Sequence, residues 1–77
     1  MNEEELAALL KERYEKAKRN EASLQIHLSG IEYAEEIRNG PFTIAELVEK
    51  AGISRGYAAE LSKGVKLAGH VVVRREA

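Results

Sequence analysis

Arg55, Glu60, Lys63 and Lys66 stand close together in a chain otherwise poor in reactive groups. There is no cysteine and no aspartate, so Ser-His-Asp, Cys-His and Asp-based metal patterns are excluded. His27 and His70 are too far apart for a compact ligand motif, and a histidine inside an apolar helical segment, as His27 is, reads first as a packing or hydrogen-bonding residue. Glu3 to Glu5 and Glu35-Glu36 read as solvated helix faces, and no Gly-rich phosphate loop follows a strand. An enzyme is therefore not expected, nor a cofactor, a metal or a small-molecule ligand. The chemistry left is recognition. A guanidinium can bond guanine O6 and N7 together, a carboxylate can accept from cytosine N4, a methyl group can meet thymine, and an ammonium suits phosphate. Arg55 is the candidate guanine reader and Ala59 the candidate thymine contact. Glu60 either reads cytosine or pairs with Lys63 on the surface. Gly56 would let the backbone come close, and Lys63 and Lys66 are candidate phosphate contacts. Thr43 and Ser54 add hydroxyls at helix starts. Tyr57 reads as a core flank before a phosphate ligand, and Arg74 and Arg75 offer a second contact from the tail.

These residues need a helix to aim them, and the stretch from Thr43 to Gly64 supplies two. Thr43 with Glu46 forms a capping box, and Ile44, Leu47, Val48 and Ala51 then recur at helical spacing. Gly52 can take the positive φ that ends a helix and turns the chain. Ile53 is a single apolar plug, and Ser54 is the expected N-cap of the second helix. Ala58, Leu61 and Val65 face inward along it, with Arg55, Gly56, Ala59, Glu60 and Lys63 outward. Two helices joined by a short Gly-containing turn make a helix-turn-helix pattern, whose second helix enters the major groove in DNA-binding proteins.

The run AELVEKAGISRGYAAELSKG resembles the helix-turn-helix of the lambda-repressor-like (Xre) regulators. The resemblance rests on Ala51-Gly52-Ile53-Ser54, Tyr57, Glu60-Leu61 and Lys63-Gly64. Val48 stands where that family usually has Ala, and the two further helices of an Xre domain do not follow Gly64. More widely, Ile26-His27-Leu28, Gly30-Ile31, Tyr33-Ala34 and Lys63-Gly64 are similar to small bacterial proteins described only as HTH-like. The first resemblance implies DNA binding by the second helix; the second implies a fold without an established activity.

The remaining segments must build the support. Asn2 caps a first helix with Glu5 reaching back, and Leu6, Leu9, Leu10, Tyr14 and Ala17 form its stripe, with Arg13 at the edge. Asn20 is its expected terminator. A second helix is expected from Ala22 to Arg38, apolar on more than one face and hence central. Gly30 in its middle costs about 1 kcal/mol relative to Ala, best explained by close approach of another helix. Asn39-Gly40-Pro41 ends it, and Phe42 is placed as a hydrophobic staple for the next helix. Gly64 either ends the recognition helix or lets it run on toward Gly69. His70 to Arg74 is β-branched and reads as a short strand, pairing with Val65 to Leu67 as a hairpin or with a second copy of the chain.

With 77 residues the chain is one domain with limited burial, for which dimerisation is a common source of stability. Its composition is that of an ordinary globular chain, no transmembrane span or signal peptide is legible, and the lack of cysteine is compatible with a reducing cytoplasm. The net charge of −1 hides an asymmetry: residues 1–40 carry nine Glu against six Lys or Arg, residues 41–77 four against six. The cationic half contains the recognition helix, as phosphate contact needs.

The expectation is a mainly α, small helix-turn-helix domain of about four helices with a short C-terminal strand or hairpin. Residues 1–20 form an N-terminal helix and candidate dimer contact, 22–69 the helix-turn-helix core and 70–75 the strand. Its expected role is that of a bacterial, cytoplasmic transcriptional regulator, a repressor that binds double-stranded DNA as a homodimer with residues 54–63 in the major groove. The alternative is a protein-interaction module that keeps the scaffold without DNA binding.

Overall fold

The computed structural model describes residues 1–74, which form five helices: α1 (Glu3–Lys16), α2 (Ala22–Glu32), α3 (Ala34–Asn39), α4 (Ile44–Ala51) and α5 (Tyr57–Leu67). Both expected capping boxes are present. The Asn2 side chain accepts from the Glu5 N–H at 2.8 Å, and the Glu5 carboxylate accepts from the Asn2 N–H at 3.1 Å. At α4 the Thr43 hydroxyl accepts from the Glu46 N–H at 3.0 Å, and Glu46 accepts from the Thr43 N–H at 2.7 Å. Each box satisfies two backbone donors that the first helical turn leaves without partners.

The end of α4 is equally local. Gly52 adopts φ 76°, and its N–H donates to the Glu49 carbonyl while that of Ile53 donates to Val48. This is the Schellman arrangement, and it drives Ile53 into the core beside fully buried Val48. Ile53 is thus the apolar plug that its place in the sequence implied.

One core joins all five helices. Leu6 and Leu10 of α1, Ile26 of α2, Ala34 and Ile37 of α3, Leu47 and Val48 of α4, and Leu61 and Val65 of α5 are buried, with Phe42 packed against them. Burying a side chain such as Leu61 contributes roughly 1.5–3 kcal/mol, and these residues supply most of the driving force. α2 packs on both α1 and α5, and on α5 most closely. It is the central element that its broad apolar surface called for.

The contact between α2 and α5 depends on two glycines. A Cβ on Gly30 would lie 2.5 Å from the Leu61 carbonyl oxygen, and one on Gly64 would strike the His27 carbonyl. The close approach inferred at Gly30 is therefore real, and Gly64 is its counterpart. Gly64 does not end α5, which runs on to Leu67.

Polar ties hold α1 and α3 to this pair. Arg13 donates to Glu32 at 2.8 Å and to fully buried Ser29 at 3.4 Å, and its guanidinium lies 5.3 Å from the centre of the Tyr33 ring. Ser29 donates in turn to the Gln25 carbonyl. The Glu32 hydrogen bond raises the Arg13 pKa against the opposing effect of burial. Arg38 donates to the Val65 carbonyl at 2.8 Å, linking α3 to α5.

Four expectations are corrected. The helix expected over 22–38 is two, broken at Tyr33, whose φ of −112° and ψ of 27° leave the helical region. The hydrogen bonds from Tyr33 to Ser29 and from Ile37 to Tyr33 persist across the break, and beyond it α3 also reaches α5. α1 stops at Lys16, and Asn20, with φ 65°, belongs to the turn before α2 rather than to the helix end. Ser54 does not cap α5. Its hydroxyl accepts only from the Gly56 N–H at 3.4 Å, and the chain winds through two tight turns before the helix starts at Tyr57.

Among the described residues there is no strand. Val65 to Leu67, the proposed hairpin partner, is helical, and the N–H groups of His70 and Val71 both return to the Leu67 carbonyl. The segment therefore closes a helix end instead of entering a ladder. Arg75, at the expected strand's end, lies outside the described residues.

Candidate nucleic-acid interface

α5 turns one face to the core through Leu61, Gly64 and Val65. Helical spacing then puts Ala59, Lys63 and Lys66 on the opposite face, and all three are exposed. Arg55 is exposed in the turn that leads into α5, not in the first helical turn as expected. Gly56 next to it is exposed as well, and a Cβ there would meet only the Ser54 hydroxyl, at 3.8 Å. The stripe from Arg55 to Lys66 faces solvent and has a close-packed back. Among the described residues Arg55 and Lys66 have no side-chain partner, so both cations are available to an incoming anion.

The other candidates fall on or away from this stripe. Thr43 is exposed at the start of α4, its hydroxyl oxygen engaged as the cap. Ser54 is exposed beside Arg55. Tyr57 is half-buried, edge-on to Tyr14 of α1 at 5.3 Å between ring centres and 75° between planes. Desolvation, and then the neighbouring Tyr14, push its phenol above the ordinary value. Tyr57 therefore flanks the core. Arg74 is exposed in the segment after α5, which has no regular secondary structure.

Glu60 is engaged within the chain. Its carboxylate lies 3.4 Å from Nδ1 of His27 and 3.5 Å from Nζ of Lys63. The surface pair with Lys63 is thus formed, and His27 is a second partner that sequence reasoning missed. His27 reaches Glu60 from a position 33 residues away, which no local pattern signals. Lys63, Lys66, Leu67 and His70 line, together with His27, one shallow and open hollow of about 350 Å³ whose surface is mostly apolar. His70 continues the spacing of Lys63 and Lys66 by one more turn, a signal that was legible.

Among the described residues no three His, Asp or Glu side chains gather as metal ligands, and no helix is long and apolar enough to cross a membrane.

A five-helix domain with a glycine-turned helix pair and an exposed, cationic second helix defines a small helix-turn-helix protein. The family model described as "HTH-like domain" matches residues 2–74, and the chain belongs to that family. No curated protein and no solved structure matches it.

Proposed function

We propose that this chain binds duplex DNA through α5 and the turn before it, and that it regulates transcription as a repressor by occupying promoter DNA. The observation that carries this reading is the exposed stripe of Arg55 in the turn and Ala59, Lys63 and Lys66 on the helix that follows, whose other face is locked into the core. Membership of an HTH-like family supports the same partner class. Arg55 reads guanine, Ala59 meets a thymine methyl, and Lys63 and Lys66 hold phosphates, with Thr43, Ser54, Gly56 and Arg74 lending further contacts. Glu60, set between His27 and Lys63, orients its neighbours more than it reads bases. The docking is that of the second helix in a lambda-repressor-like motif.

One α5 carries few base-reading groups, so a homodimer on two half-sites about 34–36 Å apart suits this face better than a monomer. The measurement that decides is a salt titration on duplex DNA with the Arg55→Ala and Lys63→Ala variants. Weaker binding by both supports the reading, while unchanged binding, or no binding at low salt, removes it.

A second reading, a protein-interaction module, draws on one observation. Val71 and Val72 are exposed beside a hollow of about 360 Å³ lined by Ile31, Ala34 and Ala68 and by the charged Glu32, Glu35, Glu36 and Arg38. A partner docked there would shift amide signals in α2 and α3 and leave those near Arg55 unmoved.

A further inference from the structure

The hollow between α2 and the outer edge of α5 joins groups that are distant in sequence. His27 comes from α2, Lys63, Lys66 and Leu67 from α5, and His70 from the turn just beyond. Its existence follows from the glycine contact. Because Gly30 and Gly64 let the two backbones touch, His27, one turn before Gly30, is carried up to the rim of α5. There its ring meets Glu60, and the Glu60 carboxylate is also shared with Lys63.

The polar groups that line the hollow are two ammoniums and two imidazoles, and the Glu60 carboxylate stands beside it against His27 and Lys63. Glu60 is already met by His27 and Lys63, whereas Lys66 and His70 have no side-chain partner among the described residues. The site therefore keeps an excess of donors for an anion. Leu67, 38% exposed, adds an apolar patch among them. An inorganic anion has no use for that patch, but a phosphate attached to a deoxyribose does.

We propose that this hollow holds one sugar–phosphate unit of a duplex DNA backbone. Lys66 and His70 donate to the phosphate, Lys63 adds charge from its side, His27 borders the site while holding Glu60, and Leu67 packs against the deoxyribose. The proposal rests on the DNA-binding reading and extends it. It brings the α2 side of the molecule against one DNA strand, and it makes two histidines outside the base-reading stripe part of the interface. Such a contact fixes register and orientation on the duplex without reading sequence.

The test uses the full chain in a single low-salt buffer. The two histidines are the only ones present, so His27→Gln and His70→Gln assign the two imidazole signals by NMR. A short duplex is expected to shift both signals. The His27→Gln/His70→Gln double variant is expected to bind it roughly tenfold more weakly, the effect of losing the His70 contact and the ring that holds Glu60 aside. His70→Gln alone, at an exposed position, is expected to show part of that loss with unchanged thermal stability, and His70→Lys to restore it. If the duplex shifts amides of α5 but neither imidazole, and the double variant binds as well as the wild type, the proposal is overturned while DNA binding stands. If no duplex binds at low salt but inorganic phosphate shifts the imidazoles, the ligand is a free phosphate and the DNA assignment of the hollow falls. If neither probe moves them, the hollow is no anion site.

Discussion

Gly30 of α2 and Gly64 of α5 meet backbone to backbone, so that a Cβ built on either would lie 3.0 Å from the Cα of the other. Two helices can cross this closely only where neither brings a side chain. Replacing a mid-helix glycine by alanine ordinarily gains about 1 kcal/mol of helix propensity. Here the added methyl would meet carbonyl oxygens of the facing helix, which cannot rotate aside, and such overpacking costs about 1–3 kcal/mol or more. Gly30→Ala and Gly64→Ala are each expected to lower stability in thermal and urea unfolding. At about 4–8 °C per kcal/mol for a domain of this size the effect is easily read. A higher melting temperature for either variant would show that the helices have room to spare.

Gly52 tests a different property of glycine. Its φ of 76° is left-handed, yet nothing lies within 4 Å of a Cβ placed there. Gly52→Ala should therefore cost only the conformational penalty, about 1–2 kcal/mol. Gly52→Asn should recover part of that loss, because Asn tolerates this region better. If Gly52→Asn is no better than Gly52→Ala, backbone conformation is not what the position selects.

Arg13 fastens α1 to α2 through Glu32 and Ser29. The pair is largely but not fully shielded, with side-chain exposures of 26% and 13%. Solvent screening places its worth above that of a surface ion pair and below that of a buried one, at about 1–2 kcal/mol. Arg13→Met keeps the apolar stem and removes the charge, and is expected to destabilise by that amount. In a double-mutant cycle with Glu32→Gln, additive losses would mean that the two residues do not couple.

Arg55 and Lys66 should fail differently on DNA, since neither has a side-chain partner to lose on the protein among the described residues. Arg55→Ala is expected to cost about 1–3 kcal/mol of binding and to relax preference at one base pair. Lys66→Ala is expected to weaken binding to all sequences alike and reduce the salt slope by about one. Both should melt like the wild type. Equal effects on specific and random duplexes from Arg55→Ala would place that side chain on a phosphate instead.

Tyr57 supplies a pH dependence whose sign is set. Its phenol is raised above the ordinary value near 10. The native state thus holds the proton more tightly than the unfolded chain does, and the resulting stability is complete below the ordinary pKa. It is lost as pH rises through the raised native value. Tyr57→Phe should flatten the alkaline fall in stability measured by urea titration, and an unchanged fall would assign it to other groups.

Much of the helical framework is legible in the residues because its causes are local. Asn2 with Glu5 and Thr43 with Glu46 act across three positions, and Gly52 acts at one, so each signal sits inside the pattern that reveals it. The misreadings are of another kind. Ser54 is a good cap by type, but its hydroxyl bonds only the Gly56 N–H, two residues on. The apolar pattern over 22–38 continues through Tyr33, so the break there leaves no mark on the periodicity. His70 to Val73 has the side chains of a strand, yet a strand is a relation to a partner, and Val65 to Leu67 is helical.

The sequence by itself determined where α1 and α4 begin, which residues form their buried stripes and that the second half is cationic. These depend on hydrogen bonds and side-chain periods that span at most a few residues. Tertiary structure alone decided what Gly30 approaches, and with it that His27 meets Glu60 and borders the hollow formed by Lys63, Lys66, Leu67 and His70. Groups more than thirty residues apart come together only through the crossing of α2 and α5. That crossing is set by the fit of two whole helix faces, which no window of local sequence contains.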